Sequence, residues 1–320
     1  KPKLEFVQQR HGFMTLHIET PLISSDILSN LLKKDIRLKL DVLQPSGSFK
    51  IRGIGYACEH FANKGAKEFL SSSGGNAGMA VAYAGKKLGI PVKVVVPKTT
   101  TTRSISILEK DHAEVIVHGA SWLEANSLAQ SIKTDETAFI HPFDDELLWR
   151  GHSTMIDEVS FTGFKPDLII LSVGGGGLLA GVIKGLINNN WEDIPVMAVE
   201  TYGAASLNKS LKNGRTVELE KITSLATSLG AKKVSEGAFQ LALAHNVKSE
   251  LISDLDTLLA CENFLSDHNI LVEPACGAAL SPIYKQIDEL KAFSKILVII
   301  CGGSTTSIDD IKNGIISLNK

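Results

Sequence analysis

Cysteine is scarce in this chain. The four among 320 residues, Cys58, Cys261, Cys276 and Cys301, stand far apart with no C-x-x-C pair. Such usage argues against a disulfide framework or a zinc knuckle and fits a reducing compartment. Neither charge is in excess: 33 basic residues face 35 acidic ones, with no Lys/Arg block longer than a pair such as Lys86-Lys87 or Lys232-Lys233. Nucleic acid is therefore not an expected partner. Long apolar runs are missing too. The longest, Asp167 to Val173 and Ile296 to Cys301, are too short to span a bilayer, and the first twenty residues have no signal-peptide stretch. The expectation is a soluble, cytoplasmic protein with no membrane partner. Repeats, low-complexity tracts and Pro-rich linkers are also absent. Any two lobes should share a close interface, whose cleft is the default site.

What is present is ordinary for a globular protein, with 44% apolar and 21% charged residues. The length favours two lobes or one large α/β unit. Short β-branched runs at Lys67 to Ser71, Val92 to Val96, Glu114 to Val117, Asp167 to Val173, Val196 to Glu200 and Ile296 to Cys301 alternate with helical patterns. Among these helical patterns are Gly78 to Leu88, Ser121 to Lys133 and Leu178 to Asn188. The alternation predicts βαβ units, hence a doubly wound α/β fold of parallel sheets flanked by helices.

Three small-residue turns follow strands: Ser72 to Gly78, Gly174 to Gly177, and Cys301-Gly302-Gly303-Ser304. Open α/β folds bind ligands at that carboxyl edge. Gly174, Gly175, Gly176 and Gly177 free the backbone to present several N–H groups at one point, ahead of a helix beginning near Leu178, which suits a phosphate. No Gly-Lys-Ser/Thr follows, so this is not a P-loop. A plain tight connection is the bland alternative. A rival functional reading takes Gly175, Gly177 and Ala180 as G-x-G-x-x-A, with Glu200 as a ribose-binding acid, and would make the chain an NAD-dependent oxidoreductase. Lys50 follows Ser46-Gly47-Ser48-Phe49 and falls in or near a first helical turn starting near Ile51. An amine there feels the positive helix end, and burial beside Phe49 lowers its pKa further, which suits a Schiff-base lysine.

Gln44-Pro45-Ser46-Gly47-Ser48-Phe49-Lys50-Ile51-Arg52-Gly53 resembles the cofactor-lysine signature of the serine/threonine dehydratase family, fold type II of the pyridoxal-phosphate enzymes. Ser72 to Gly78 resembles the family's substrate loop, Gly174 to Gly177 its phosphate loop, and Cys301 to Ser304 its pyridine-nitrogen loop. Leu271 to Ala279, LVEPACGAA, is similar to the branch holding animal-type serine dehydratase and its dehydratase-like relative. The likeness runs from about Thr20 to near the C-terminus.

That resemblance implies that Lys50 binds pyridoxal 5'-phosphate covalently and Phe49 packs on the ring. It further implies that Ser73, Gly75, Asn76 and Ala77 receive the substrate carboxylate, with Asn76 also near the cofactor hydroxyl. Cys301 would face the pyridine nitrogen, and a thiol there is a poor proton source, which favours prompt β-elimination. Its bland alternative is a buried structural cysteine. Glu200, Ala204 and Ser206 match the family's monovalent or divalent cation segment, a sensible set of hard oxygen ligands. His141 and His152 lie in no matched motif and read as structural. By analogy residues 45–145 form a small domain, and residues 1–44 with 146–320 a large one.

The implied activity converts the small-molecule substrates L-serine and L-threonine to pyruvate and 2-oxobutanoate with release of ammonia, in a homodimer. Too little chain follows the last strand for a regulatory domain, so a catabolic role is expected. Another fold type II lyase, a racemase and a non-catalytic binding protein are the further alternatives. Related racemases carry a serine where this chain has Gly74, and glycine offers no proton. Typical serine dehydratases carry alanine there, so the lost methyl is expected to loosen the loop and slow turnover, and Gly74→Ala to improve it.

Overall fold

The computed structural model describes residues 15–319. Ten strands follow in chain order: β1 (Leu22–Ser24), β2 (Asp35–Lys39), β3 (Glu68–Ser71), β4 (Val92–Val96), β5 (Glu114–Val117), β6 (Thr137–Phe139), β7 (Leu168–Ser172), β8 (Val196–Thr201), β9 (Val247–Ile252) and β10 (Lys295–Ile299). They form a four-stranded sheet, β5-β4-β3-β6, and a six-stranded sheet, β1-β2-β10-β7-β8-β9. Every pairing is parallel except β1 with β2.

The chain divides into two compact units. One gathers residues 15–18 with Gln44–Ser46 and Lys50–Pro142, and contains the four-stranded sheet. The other gathers Glu19–Leu43, Gly47–Phe49 and the chain from Phe143 onward, and contains the six-stranded sheet. The lysine signature is thereby shared out, since Gly47–Phe49 belong to one unit and Lys50 opens a helix of the other.

The all-apolar runs fill the centres of the sheets because a parallel strand is covered on both faces. Every residue of β7 and of β8 is buried, whereas edge strand β5 has exposed ends and a half-buried middle. The six anticipated strands are present within a residue or two. Four more, β1, β2, β6 and β9, carried no clear pattern. β1 and β6 have only three residues each, and β2 (DIRLK) and β9 (VKSELI) mix charge into their alternation. Charge is tolerated where a partner exists: Arg37 on β2 lies 4.1 Å over the Phe164 ring, and buried Lys39 pairs with Glu158 and the Thr20 carbonyl. Among the described residues no helix is long and apolar enough to cross a membrane.

The helix Lys50–Asn63 is buried almost all round, and with it Glu59, whose Oε1 has no hydrogen-bond partner among the described residues. Burial pushes this carboxyl up to about 7. The folded chain then keeps a proton that the unfolded chain has already released, so stability is full below the ordinary carboxylate range and declines as pH rises through about 7. Thermal midpoints measured from about pH 5 to about pH 8 should fall less steeply for Glu59→Gln than for the parent. Parallel profiles would show that Glu59 is not the group responsible.

Candidate functional site

Ser72, Val173 and Ile300 each follow the last residue of a parallel strand, so all three small-residue turns lie at carboxyl edges. Cys301 and Gly174 follow neighbouring strands of one sheet, β10 and β7. Ser172 Oγ lies 3.8 Å from Cys301 Sγ.

The segment Gly47–Phe49 is stapled to the turn after β10. Phe49 N donates to the Cys301 carbonyl at 2.8 Å, Gly303 N donates to the Gly47 carbonyl at 3.1 Å, and Ser48 bridges Gly302 in antiparallel fashion. Gly47 has φ +76°, a conformation that side chains strain, and a Cβ there would lie 1.6 Å from Ser304 Oγ. The staple sets Phe49, which is buried and tilted against the His152 ring at a centroid distance of 4.8 Å. His152, expected to be merely structural, thus backs the aromatic ring next to the lysine. Lys50 is the first residue of its helix and half-buried, and its Nζ donates to the Pro142 carbonyl at 2.5 Å.

In the turn Gly174–Gly177, the N–H groups have no acceptor among the described residues. They precede the helix Gly177–Asn188, whose N-cap Gly176 has φ +94°. The protein side of the turn is packed shut. A Cβ on Gly175 would fall 2.3 Å from the Phe143 ring, one on Gly176 2.5 Å from Ala238 Cβ, and one on Gly174 3.0 Å from Leu229 Cα. Packing therefore disfavours a side chain at Gly174, Gly175 and Gly176. An anion with several oxygens fits such a turn at a helix N-terminus. Phe143 escaped the sequence reading because a lone aromatic between a strand and a helix carries no pattern.

The loop after β3 leads into the helix Asn76–Leu88. Its N-cap is Gly75, without a side-chain cap, and Ser73 Oγ accepts only a long 3.4 Å bond from Gly75 N. No serine caps this helix, and Gly78 packs closely, since a Cβ there would meet the Ser73 carbonyl at 1.8 Å. Asn76 and Ala77 begin the helix and are buried. Ser73, Gly75, Asn76 and Ala77 therefore stand together with a helix N-terminus, a suitable seat for a carboxylate.

Glu200 is the penultimate residue of β8 and is buried. Its Oε1 accepts from Leu207 N at 2.8 Å and its Oε2 from Asn208 N at 2.7 Å, both at the start of the helix Ser206–Asn213. Burial raises its pKa to about 7 against the opposing pull of those amides. Both oxygens already accept from the chain's own backbone, so this buried acid anchors the start of the following helix, a role the ribose-binding reading did not include. Ala204 and Ser206 lie close in sequence, and the buried Ser206 hydroxyl has no hydrogen-bond partner among the described residues. No group of three or more His, Cys, Asp or Glu suited to a metal occurs among the described residues, so a cation here would depend on carbonyl and hydroxyl oxygens as well as the acid.

Gly74 departs from expectation. A Cβ at this position would lie 2.7 Å from Thr100 Cγ2 and 3.2 Å from Val96 Cγ1, so the methyl's place is already filled and its loss leaves no slack. Gly74→Ala should lower stability by about 1–3 kcal/mol without raising turnover, and adding Thr100→Ser, which removes that methyl, should recover the loss. Faster turnover by Gly74→Ala alone, with unchanged thermal midpoint, would contradict this packing argument.

A family model for pyridoxal-phosphate dependent enzymes matches residues 14–302. L-serine dehydratase/L-threonine deaminase of Mus musculus is 44% identical over 309 residues, spanning 93% of this chain and 94% of that protein. A serine dehydratase-like protein of the same species is 42% identical and spans 95% of both chains. The solved fungal L-serine ammonia-lyase from Rhizomucor miehei superposes with a TM-score of 0.89 at 36% identity, covering 93% of this chain and 98% of its own. With Lys50 opening a helix, a glycine turn at a helix N-terminus and these relatives, the chain belongs to the pyridoxal-phosphate dependent enzymes and has their fold type II architecture.

Proposed function

We propose that the chain eliminates water and then ammonia from L-serine to give pyruvate, and from L-threonine to give 2-oxobutanoate. The observation that carries this reading is the turn Gly174–Gly177, whose four N–H groups have no acceptor among the described residues and precede a helix N-terminus. The names of the relatives described above point the same way.

Pyridoxal phosphate, when bound, supplies an electron sink for charge left on the substrate α-carbon. The chain's own residues do the rest. Lys50 Nζ would hold the cofactor and, once displaced by substrate, take the α-proton; the Pro142 carbonyl is an acceptor already aligned with that amine. Ser73, Gly75, Asn76 and Ala77 would receive the carboxylate and fix which α-bond faces the amine. Phe49, braced by His152, would cover the ring and exclude water from that face. Cys301 would face the ring nitrogen with a thiol too weak to protonate it, which limits side reactions. Gly74 carries no group to return a proton from a second face, which ranks racemisation below elimination. Glu200, Ala204 and Ser206 would bind a monovalent or divalent cation, and the unsatisfied Ser206 hydroxyl supports that role. A cytoplasmic homodimer completes the proposal and rests on the family resemblance.

Purified protein should form pyruvate from serine and 2-oxobutanoate from threonine, dependent on added cofactor, and Lys50→Ala should lose activity by on the order of 10^3-fold or more. Equal turnover without cofactor, or an active Lys50→Ala protein, would refute the reading. Release of a racemised amino acid in place of the keto acids would favour the racemase alternative.

A further inference from the structure

The motif Leu271 to Ala279 has no role in the account so far, yet it wraps the turn that carries Cys301. Glu273 N donates to the Gly302 carbonyl at 3.1 Å, and Thr305 Oγ1 donates to Glu273 Oε2 at 2.6 Å. A Cβ on Gly303 would meet the Leu271 carbonyl at 2.7 Å. Cys276 is fully buried in the first turn of the helix Pro274–Tyr284. Its sulfur accepts from Gly302 N at 3.2 Å, its thiol reaches the Gly302 carbonyl at 3.3 Å, and Cys301 Sγ lies 3.2 Å away.

A thiol has one proton, so this geometry allows two arrangements. In one, Cys276 donates to the Gly302 carbonyl and receives the Cys301 proton, leaving Cys301 to present only lone pairs outward. In the other, Cys276 donates to Cys301, and the Cys301 proton is free to point away from the pair. The Gly302 carbonyl loses little in the exchange because Glu273 N still donates to it. Two torsional rotations interconvert them, and no covalent bond changes.

We propose that Cys276 is a positioning residue whose thiol sets the direction in which Cys301 offers its proton. The proposal rests on Cys301 facing the cofactor's ring nitrogen: a basic nitrogen there favours the second arrangement, in which the donated Cys276 hydrogen bond strengthens Cys301 as a donor through cooperativity. Burial first, then the adjacent Cys301 thiol and the Glu273 carboxylate, push the Cys276 pKa well up, so it stays a donor across the working pH range.

The test uses the cofactor-loaded enzyme as Cys276→Ala, Cys276→Ser and Cys301→Ala variants, with infrared S–H bands, the cofactor absorption spectrum and serine kinetics as readouts. Cys276→Ala should shift the Cys301 S–H band, move the cofactor spectrum in the same sense as Cys301→Ala but less, and lower kcat about fivefold with KM within about twofold. Cys276→Ser, which keeps a donor and an acceptor, should restore most of kcat and guards against a simple folding failure. If Cys301→Ala moves the spectrum while Cys276→Ala shifts neither the S–H band nor the spectrum, the positioning role is overturned and the Cys301 reading stands. If Cys301→Ala leaves the spectrum untouched, the Cys301 reading falls and takes this proposal with it.

Discussion

The main-chain staple between Gly47–Phe49 and Cys301–Gly303 is the constraint on which the site depends. Two hydrogen bonds and one bridge hold a loop and a turn more than two hundred residues apart in the chain. Buried backbone donors must be paired, so the staple cannot shift by a residue without leaving some of these groups orphaned. It fixes Phe49 against His152, sets Cys301 beside Ser172 and Cys276, and delivers the chain directly into Lys50. The glycine at position 47 favours it, because the backbone there has φ +76°, a conformation that side chains strain.

The second principle is the division of labour within the glycine turn. Its inner side is closed by Phe143, Leu229, Val234 and Ala238, while its N–H groups have no acceptor among the described residues. Tight packing of a loop that must hold its donors open lowers the reorganisation needed when an anion arrives. In the Ser72–Gly75 loop, Thr100 and Val96 fill the space beside Gly74. Both loops are packed by residues outside them.

Much of this was legible from the residues alone. Buried parallel strands announced themselves as apolar runs, and each turn was visible as a cluster of glycine and serine after such a run. The lysine signature carried the resemblance that named the family. What escaped was whatever lacked a period: the short or charge-bearing strands β1, β2, β6 and β9, the antiparallel edge, and the lone aromatic Phe143. Cys276 was quoted as part of a motif but gained a role only when folding set its sulfur beside Cys301. Glu200 was readable as an acid of some purpose, but sequence spacing could not reveal that two backbone amides occupy both its oxygens. Gly74 shows the opposite failure, where a missing methyl suggested slack and the fold had filled it with Thr100.

The central claim is that one amine, Lys50 Nζ, is the point of cofactor attachment. Borohydride reduction of the cofactor-loaded protein, followed by digestion and mass spectrometry, tests it most directly. The account predicts a single phosphopyridoxyl group, borne by the peptide containing Lys50 and absent from Lys50→Ala. A reduced adduct on another lysine, or none on any, would contradict it.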